Sequence, residues 1–173
     1  GTTTDFYTPV VGALREAFPA AEFPAVDHDD LLTRWRAGYF EQTGRDADSA
    51  DDSWVSVHAI YRTALDEVLA DAGLHASDDA CERLTSAWQR LAPWSDSVAG
   101  LARLRSRFTT ATLSNADVAA AVRIVKHGGL PFDAVFTAEM AGAFKPDPRT
   151  YLMAAHYLDT PPAQIMMVAC HKY

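Results

Sequence analysis

The spacing of apolar residues divides the chain into two parts near Pro93. Before Pro93, apolar residues recur three or four positions apart, as on the buried face of an amphipathic helix. The pattern predicts helices over residues 6–18, 29–44, 53–72 and 77–91. Gly73 is expected to end the third helix and Ser77 to cap the fourth. Residues 45–52 are polar and acidic, which predicts a loop.

After Pro93, short β-type runs alternate with helical stretches. Strands are predicted at residues 108–113, 134–136 and 165–169, and helices at 97–107, 116–127 and 148–158. Residues 165–169 are all apolar, as in a parallel strand that is buried on both faces. Strands that alternate with helices are typical of an α/β fold with a doubly wound parallel sheet. Ligands bind such sheets at the carboxyl ends of the strands, where Ser114, Asn115 and His171 fall.

The composition narrows the classes of partner. The 173 residues carry a net charge of −8, which disfavours nucleic acid and anionic membranes as partners. The two cysteines, Cys81 and Cys170, form no disulfide framework, so a reducing cytoplasm is expected. No apolar run reaches the ~18 residues of a membrane span, and no signal peptide is visible. The expected partner is a small-molecule substrate, with a homodimer left open.

Lys145 is the first candidate for chemistry. It precedes Pro146, which favours an extended backbone, and the helix predicted next adds positive potential at its start. A solvated loop lysine is the simpler alternative. For Ser114 and Asn115 the alternative is a helix N-cap, which is compatible with an anion site because both use the same geometry.

Four short motifs occur in an order that resembles the haloacid dehalogenase-like hydrolase superfamily. They are Gly1-Thr2, Leu113-Ser114-Asn115, Lys145-Pro146 and residues 167–173. The details resemble the 2-haloacid dehalogenase branch, because Arg36 follows a tryptophan in the helical part and Tyr151 stands six residues after Lys145. Lys-Pro-x-Pro alone is shared with phosphatases, so the order of all four motifs carries the resemblance.

The resemblance implies a domain arrangement. Residues 1–5 and 93–173 would form the Rossmann-like core, and residues 6–92 would form an inserted helical cap. In the family motif Asp-x-x-Gly-Thr, the nucleophilic Asp stands three residues before the position of Gly1. The Asp of the fourth motif would directly follow Tyr173. We therefore expect that the printed sequence is cut at both ends relative to the working protein.

The resemblance also implies hydrolytic dehalogenation through an aspartyl ester. The Asp would attack C2 of a short 2-haloacid and expel halide, and water would then hydrolyse the ester. Lys145 would keep the nucleophile ionised and oriented, and Thr2 would hydrogen-bond the same carboxylate. Ser114 would receive the substrate carboxylate.

The remaining candidates surround the leaving halide and the water. Asn115 and Arg36 would face the halide and stabilise its growing negative charge, and Tyr151 would shape and polarise the pocket. His171 departs from the family pattern, in which some relatives have Asn. It is either a base that activates water, since the usual histidine pKa lies near neutrality, or a loop residue without a chemical role.

The fourth motif bears on the metal. Magnesium-dependent phosphatases of this superfamily carry an Asp where this chain has Cys170, and residues 160–173 contain no Asp or Glu. Because Mg²⁺ prefers hard oxygen ligands, a dehalogenase without a metal or other cofactor is favoured. The alternatives are a Mg²⁺-dependent phosphatase of a small phosphate ester and a catalytically inactive member.

Overall fold

The computed structural model of the protein describes the backbone of residues 1–47 and 54–170, and the side chains of residues 1–44 and 54–170. The helices in these ranges are α1 (Tyr7–Ala17), α2 (His28–Ala47), α3 (Val57–Asp71), α4 (Asp78–Ala87), α5 (Ser97–Arg105), α6 (Val118–His127) and α7 (Pro148–Tyr157). The strands are β1 (Thr4–Asp5), β2 (Ala92–Pro93), β3 (Ala111–Ser114) and β4 (Ala134–Thr137). Short 3-10 helices cover Ala138–Ala141 and Pro162–Gln164.

Helices α1 to α4 pack around one apolar core and form the helical unit, defined here as residues 6–92. Each helix buries the face that its spacing predicted: Val10, Trp35, Leu69 and Leu84 come from the four helices in turn and are at most 4% exposed. Burying an aliphatic or aromatic side chain of this size contributes roughly 1.5–3 kcal/mol. Among the described residues, no helix is both long enough and apolar enough to cross a membrane.

Local signals at the helix ends are confirmed for α3 and α4. The hydroxyl of Ser77 accepts a hydrogen bond of 3.3 Å from the amide of Ala80, as an N-cap does. Gly73 has a φ of +65°, which is the left-handed conformation that ends many helices. Both residues were predicted from the sequence to have these roles.

Several helix boundaries differ from the prediction; α4, for example, ends at Ala87 and not at residue 91. Helix α2 continues to Ala47 instead of ending near Gly44, because Gly44 does not adopt the left-handed conformation that would stop a helix. Helix α3 begins at Val57 rather than at residue 53, because Ser56 is the N-cap and its hydroxyl accepts from the amide of Ala59. A serine can begin a helix in several neighbouring positions, and the sequence does not choose between them.

The helical unit begins and ends at a pair of two-residue strands. Strands β1 and β2 are antiparallel, with Thr4 opposite Pro93 and Asp5 opposite Ala92. The chain therefore enters and leaves the helical unit at one place. Two residues are too few for a recognisable alternation, so this pairing was not predicted.

Strands β3 and β4 form a parallel pair, and α6 is the crossover between them. The register places Ala111 beside Ala134 and Ser114 beside Thr137. Helix α7 follows and begins at Pro148, with the Asp147 carboxylate accepting from the amide of Arg149 at 2.7 Å. This is the βαβ arrangement of an α/β fold. It confirms the strands predicted at residues 108–113 and 134–136, although β3 begins three residues later than predicted.

The strand predicted at residues 165–169 is wrong in this structure. The described backbone has no strand there, and Met166 and Val168 are 86% and 67% exposed. An apolar run becomes a strand only where a neighbouring strand supplies hydrogen bonds, and neither β3 nor β4 pairs with this segment. The composition was that of a buried strand, but burial also depends on the partner.

A second apolar cluster joins the helical unit to the α/β part. Tyr39 and Ile60 of the helical unit pack with Ala138 and Phe144, which follow β4. The ring of Trp54 lies 4.4 Å from the ring of Phe144, measured between centroids. These contacts hold α2 and α3 over the carboxyl ends of β3 and β4.

Candidate functional site

The end of β3 and the loop before α7 meet at the predicted site. The Asn115 side chain bonds the backbone of Lys145 twice: Oδ1 accepts from the Lys145 amide at 2.8 Å, and Nδ2 donates to the Lys145 carbonyl at 3.2 Å. The Lys145 ammonium donates to the carbonyl of Leu113 at 2.8 Å. Two of the predicted site residues, 30 positions apart in the chain, are therefore in direct contact.

Lys145 is not the solvated loop lysine of the simpler alternative. Its side chain is half-buried, and burial lowers the pKa of its ammonium from the usual value. A half-buried cation at the end of a parallel strand is suited to orienting an anion, because water screens its charge less than on the surface. The geometry therefore agrees with a chemical role for Lys145.

Ser114 and Asn115 do not cap the next helix. The N-cap position of α6 belongs to Asp117, so the N-cap alternative for the two earlier residues is wrong. Ser114 is the last residue of β3 and is half-buried beside Thr137. Both residues thus lie at the strand end without a capping role, and ligands bind at such strand ends.

The helical unit reaches this strand end through Tyr39. The Tyr39 hydroxyl donates to the backbone carbonyl of Asn115 at 3.1 Å. The Tyr39 ring stacks on Tyr61, with 4.6 Å between the centroids, and Tyr61 stacks in turn on Trp88 at 4.2 Å. This aromatic stack fixes the position of the hydroxyl. The spacing of apolar residues places Tyr39 on the buried face of its helix and does not indicate this polar contact.

Arg36 lies one turn before Tyr39 on α2. Its guanidinium lies over the Phe6 ring at 4.3 Å and over the Phe40 ring at 5.0 Å, which are distances of cation–π contacts. Because Phe6 directly follows β1, this contact places the Arg36 guanidinium near the first residues of the chain.

The first and fourth motifs are neighbours. The Thr2 hydroxyl accepts a hydrogen bond of 3.2 Å from the backbone amide of Cys170. Tyr151 is half-buried in α7, six positions after Lys145. His171 lies outside the described residues. The structure thus gives positions for six of the seven predicted site residues, and direct contact for Asn115 and Lys145.

Asp117, which was not among the predicted site residues, binds the helical unit to the loop between β3 and α6. The Asp117 carboxylate accepts four hydrogen bonds from residues at the start of α3. The donors are Trp54 Nε1 at 3.2 Å, Ser56 Oγ at 3.0 Å, Val57 N at 2.9 Å and His58 N at 2.9 Å. The only sequence signal was an aspartate directly before a helix, which predicts a local cap and not a contact some 60 residues away.

Within the described residues, no three His, Cys, Asp or Glu side chains are grouped so that they could hold a metal ion. The Asp117 and Glu139 carboxylates both accept hydrogen bonds from other groups of the protein. Glu139 accepts from the Val118 amide at the start of α6. Their carboxylates therefore stabilise helix starts.

A protein-family model matches residues 1–168 of the chain, and it is described as haloacid dehalogenase-like hydrolase. The match includes the whole helical unit and three of the four motifs in full.

Two curated relatives have the same activity in their names. The chain is 32% identical over 182 residues to (S)-2-haloacid dehalogenase 1 of Pseudomonas sp. (strain CBS-3). This alignment covers 100% of the chain and 74% of that enzyme. It is 26% identical over 150 residues to the (S)-2-haloacid dehalogenase of Pseudomonas fluorescens. This second alignment covers 84% of the chain and 65% of the enzyme. The alignments thus leave a quarter or more of each relative unmatched.

Solved structures agree with these similarities. A crystal structure of an L-2-haloacid dehalogenase superposes with a TM-score of 0.83 and 30% identity, covering 93% of the chain and 68% of that protein. The L-2-haloacid dehalogenase of Xanthobacter autotrophicus, solved with chloropropionic acid covalently bound, gives a TM-score of 0.80 and 27% identity, covering 95% and 64%. The described fold is therefore that of an α/β protein of this kind.

Proposed function

Because the chain belongs to the haloacid dehalogenase-like hydrolases, we propose that it hydrolyses a short 2-haloacid to the 2-hydroxy acid and halide. The observation that supports this most directly is the contact between Asn115 and Lys145 at the carboxyl end of β3. The named relatives are 2-haloacid dehalogenases, and Lys145 is the cation that such a site needs beside a carboxylate nucleophile.

The proposed reaction has two covalent steps. The carboxylate of an Asp, placed by the family pattern three residues before Gly1, attacks C2 and displaces halide to form an ester. Water then attacks the ester carbonyl, which releases the 2-hydroxy acid and a proton and restores the carboxylate. Lys145 keeps this carboxylate ionised, because a nearby positive charge favours the charged form. Thr2 donates a hydrogen bond to it.

The substrate would be held at the two strand ends. Ser114 receives the substrate carboxylate at the end of β3. The second amide N–H of Asn115, which points away from the Lys145 carbonyl, and the Arg36 guanidinium stabilise the departing halide. Tyr151 closes the pocket from α7. In this proposal His171 activates the hydrolytic water.

The proposal needs no metal. Carbon–halogen displacement builds a single negative charge, which fixed N–H donors can stabilise, whereas phosphoryl transfer relies on bound cations. Cys170 stands where the phosphatases of this superfamily have a metal-binding Asp. The Cys170 backbone amide donates to the Thr2 hydroxyl, which supports the view that Cys170 lies beside the site. A thiol there supplies no carboxylate to a metal ion.

We also propose that residues 6–92 are a helical cap inserted into a doubly wound core made of residues 1–5 and 93–173. The pairing of β1 with β2 and the apolar cluster that covers the ends of β3 and β4 support this division. The enzyme would work in the cytoplasm on a small substrate, without nucleic acid or membrane partners, and a homodimer is compatible with it.

Halide release tests the function. The whole enzyme should release chloride from 2-chloropropionate at the same rate with and without EDTA, and both enantiomers should be assayed. A Mg²⁺-dependent phosphatase would instead hydrolyse p-nitrophenyl phosphate, lose that activity in EDTA and release no halide. Absence of both activities would favour the inactive member of the family.

A further inference from the structure

The start of α3 is bonded by the carboxylate of Asp117, a residue some 60 positions further along the chain. Helix α3 already has a local cap, since the hydroxyl of Ser56 accepts from Ala59 N. The Asp117 carboxylate adds four hydrogen bonds at the same helix start, two of them from the backbone amides of Val57 and His58. A carboxylate at a helix N-terminus is favourable because it accepts otherwise unpaired amides and meets the positive end of the helix dipole.

The same residue belongs to the loop that carries the proposed substrate groups. Asp117 follows Asn115 by two positions and Ser114 by three. Asn115 is in turn bonded to Lys145 through its side chain and to Tyr39 through its carbonyl. A shift of α3 therefore acts on Asn115 through only two intervening backbone units, and Asn115 acts directly on Lys145.

Helix stability alone would not require this arrangement. Helix α4, in the same unit, is capped by Ser77 from its own chain segment, and a local serine or aspartate contributes about 1 kcal/mol in that role. In α3 the stronger group comes from the α/β part, some 60 residues further along the chain. The arrangement makes the position of the loop depend on the position of the helical unit.

We propose that Asp117 is a positioning residue, which holds the loop bearing Ser114 and Asn115 against the start of α3 and thereby sets the position of Lys145. Substrate binding then requires the helical unit to be in place, because only then do the groups on the loop have a defined geometry. The kinetic part of this inference rests on the proposed function, and the structural part does not.

Amide hydrogen exchange tests the structural part. Asp117→Ser removes the carboxylate and keeps a residue type that caps α6 well. Exchange should become at least ~10-fold faster at the start of α3 and also at the Lys145 amide, which Asp117 does not touch. The matched control is Ser77→Ala, which removes a helix cap in the same unit and should speed exchange only at the start of α4. An unchanged Lys145 amide in Asp117→Ser would overturn the inference.

Kinetics test the consequence for the substrate. In the whole enzyme, Asp117→Ser should raise KM for 2-chloropropionate about tenfold, with kcat within about twofold, because only a fraction of the molecules has a formed site and substrate selects it. Ser77→Ala should leave KM unchanged. A lower melting temperature with an unchanged KM would mean that Asp117 only stabilises α3, and it would refute the positioning role.

Two further points keep the test decisive. If Asp117→Ser does not fold, Trp54→Phe removes a single donor to Asp117 while keeping a ring against Phe144. It should shift the Lys145 exchange rate and KM in the same direction by a smaller factor, and no shift in either would overturn the inference. If the unchanged enzyme releases no halide, the proposed function fails, whereas hydrogen exchange still decides the role of Asp117.

Discussion

The amide side chain of Asn115 bonds both backbone groups of Lys145, accepting from its N–H at 2.8 Å and donating to its carbonyl at 3.2 Å. A terminal amide can do this because it carries an acceptor and a donor side by side. The direction of the Lys145 side chain therefore depends on Asn115. A change at position 115 alters two polar groups of the site and not one.

Asn115→Ala should therefore be more harmful than the loss of one donor to halide. We expect halide release to fall by more than the ~10² typical of losing one donor to a developing anion, and the free energy of unfolding to fall by roughly 1–3 kcal/mol, since two partly buried backbone groups lose partners. Asn115→Asp retains the acceptor for the Lys145 amide and should unfold at an intermediate urea concentration. Equal midpoints for Asn115→Ala and the unchanged protein would contradict the double contact.

The charge of Lys145 should be visible in the pH dependence of stability. Burial lowers the pKa of this ammonium below its usual 10.5 in the folded chain, so between the folded and unfolded pKa values the unfolded chain binds more protons. Stability from this group must then rise with pH. For the protein of the printed sequence, the free energy of unfolding minus that of Lys145→Met should increase between pH 7 and pH 10. Urea unfolding measures both values. Lys126→Met, at an exposed lysine, is the control, and a constant difference for Lys145→Met would be inconsistent with burial.

Thr137 and Thr150 are both fully buried, but among the described residues only the Thr150 hydroxyl has a hydrogen-bond partner. The Thr150 hydroxyl donates to the Ala143 carbonyl at 2.6 Å, whereas the Thr137 hydroxyl has no partner in the described structure. Thr137→Val should be neutral or stabilising by up to about 1 kcal/mol, and Thr150→Val should destabilise by roughly 1–2 kcal/mol. Thermal unfolding of the two variants measures the contrast, and the opposite order would show that Thr137 has a partner in solution.

Arg36 and Arg34 offer a matched pair on α2. Arg34 forms exposed ion pairs with Asp30 and Asp71, which contribute less than about 1 kcal/mol. Arg36→Ala should lower kcat for halide release on the order of 10²-fold, because the proposed site loses a cation facing the leaving group. Arg34→Ala should keep kcat within about twofold. A similar small effect for both variants would leave Arg36 with a packing role against Phe6.

The sequence was sufficient wherever the signal was local. The faces of the helices, the Gly73 stop and the Ser77 cap follow from residues within one or two turns of each other. Ser114 and Asn115 could be placed at a strand end from the alternation of strands and helices, whereas Lys145 was selected because it precedes a helix start and stands in a motif that resembles the superfamily. Lys145 could therefore be selected before its surroundings were known.

The sequence was insufficient where the partner lies far away in the chain. Asp117 looks like any aspartate before a helix, and nothing local indicates that its carboxylate bonds the start of α3. The run at residues 165–169 has the composition of a buried strand, yet Met166 is 86% exposed because no described strand pairs with it. An apolar composition allows a segment to be a buried strand, but the strand forms only where another strand supplies its hydrogen bonds.

The pairing of β1 with β2 has an evolutionary consequence. Thr4 and Pro93 are partners in an antiparallel pair, so the two ends of the intervening segment are only about 5 Å apart. Such a gap can be closed by a tight turn, so the intervening helices could be exchanged for a shorter, longer or differently shaped insert without rerouting the rest of the chain. The entry point thus makes this part of the molecule modular, and new substrate preferences could arise by replacing it as a block while the polar groups at the strand ends stay in place.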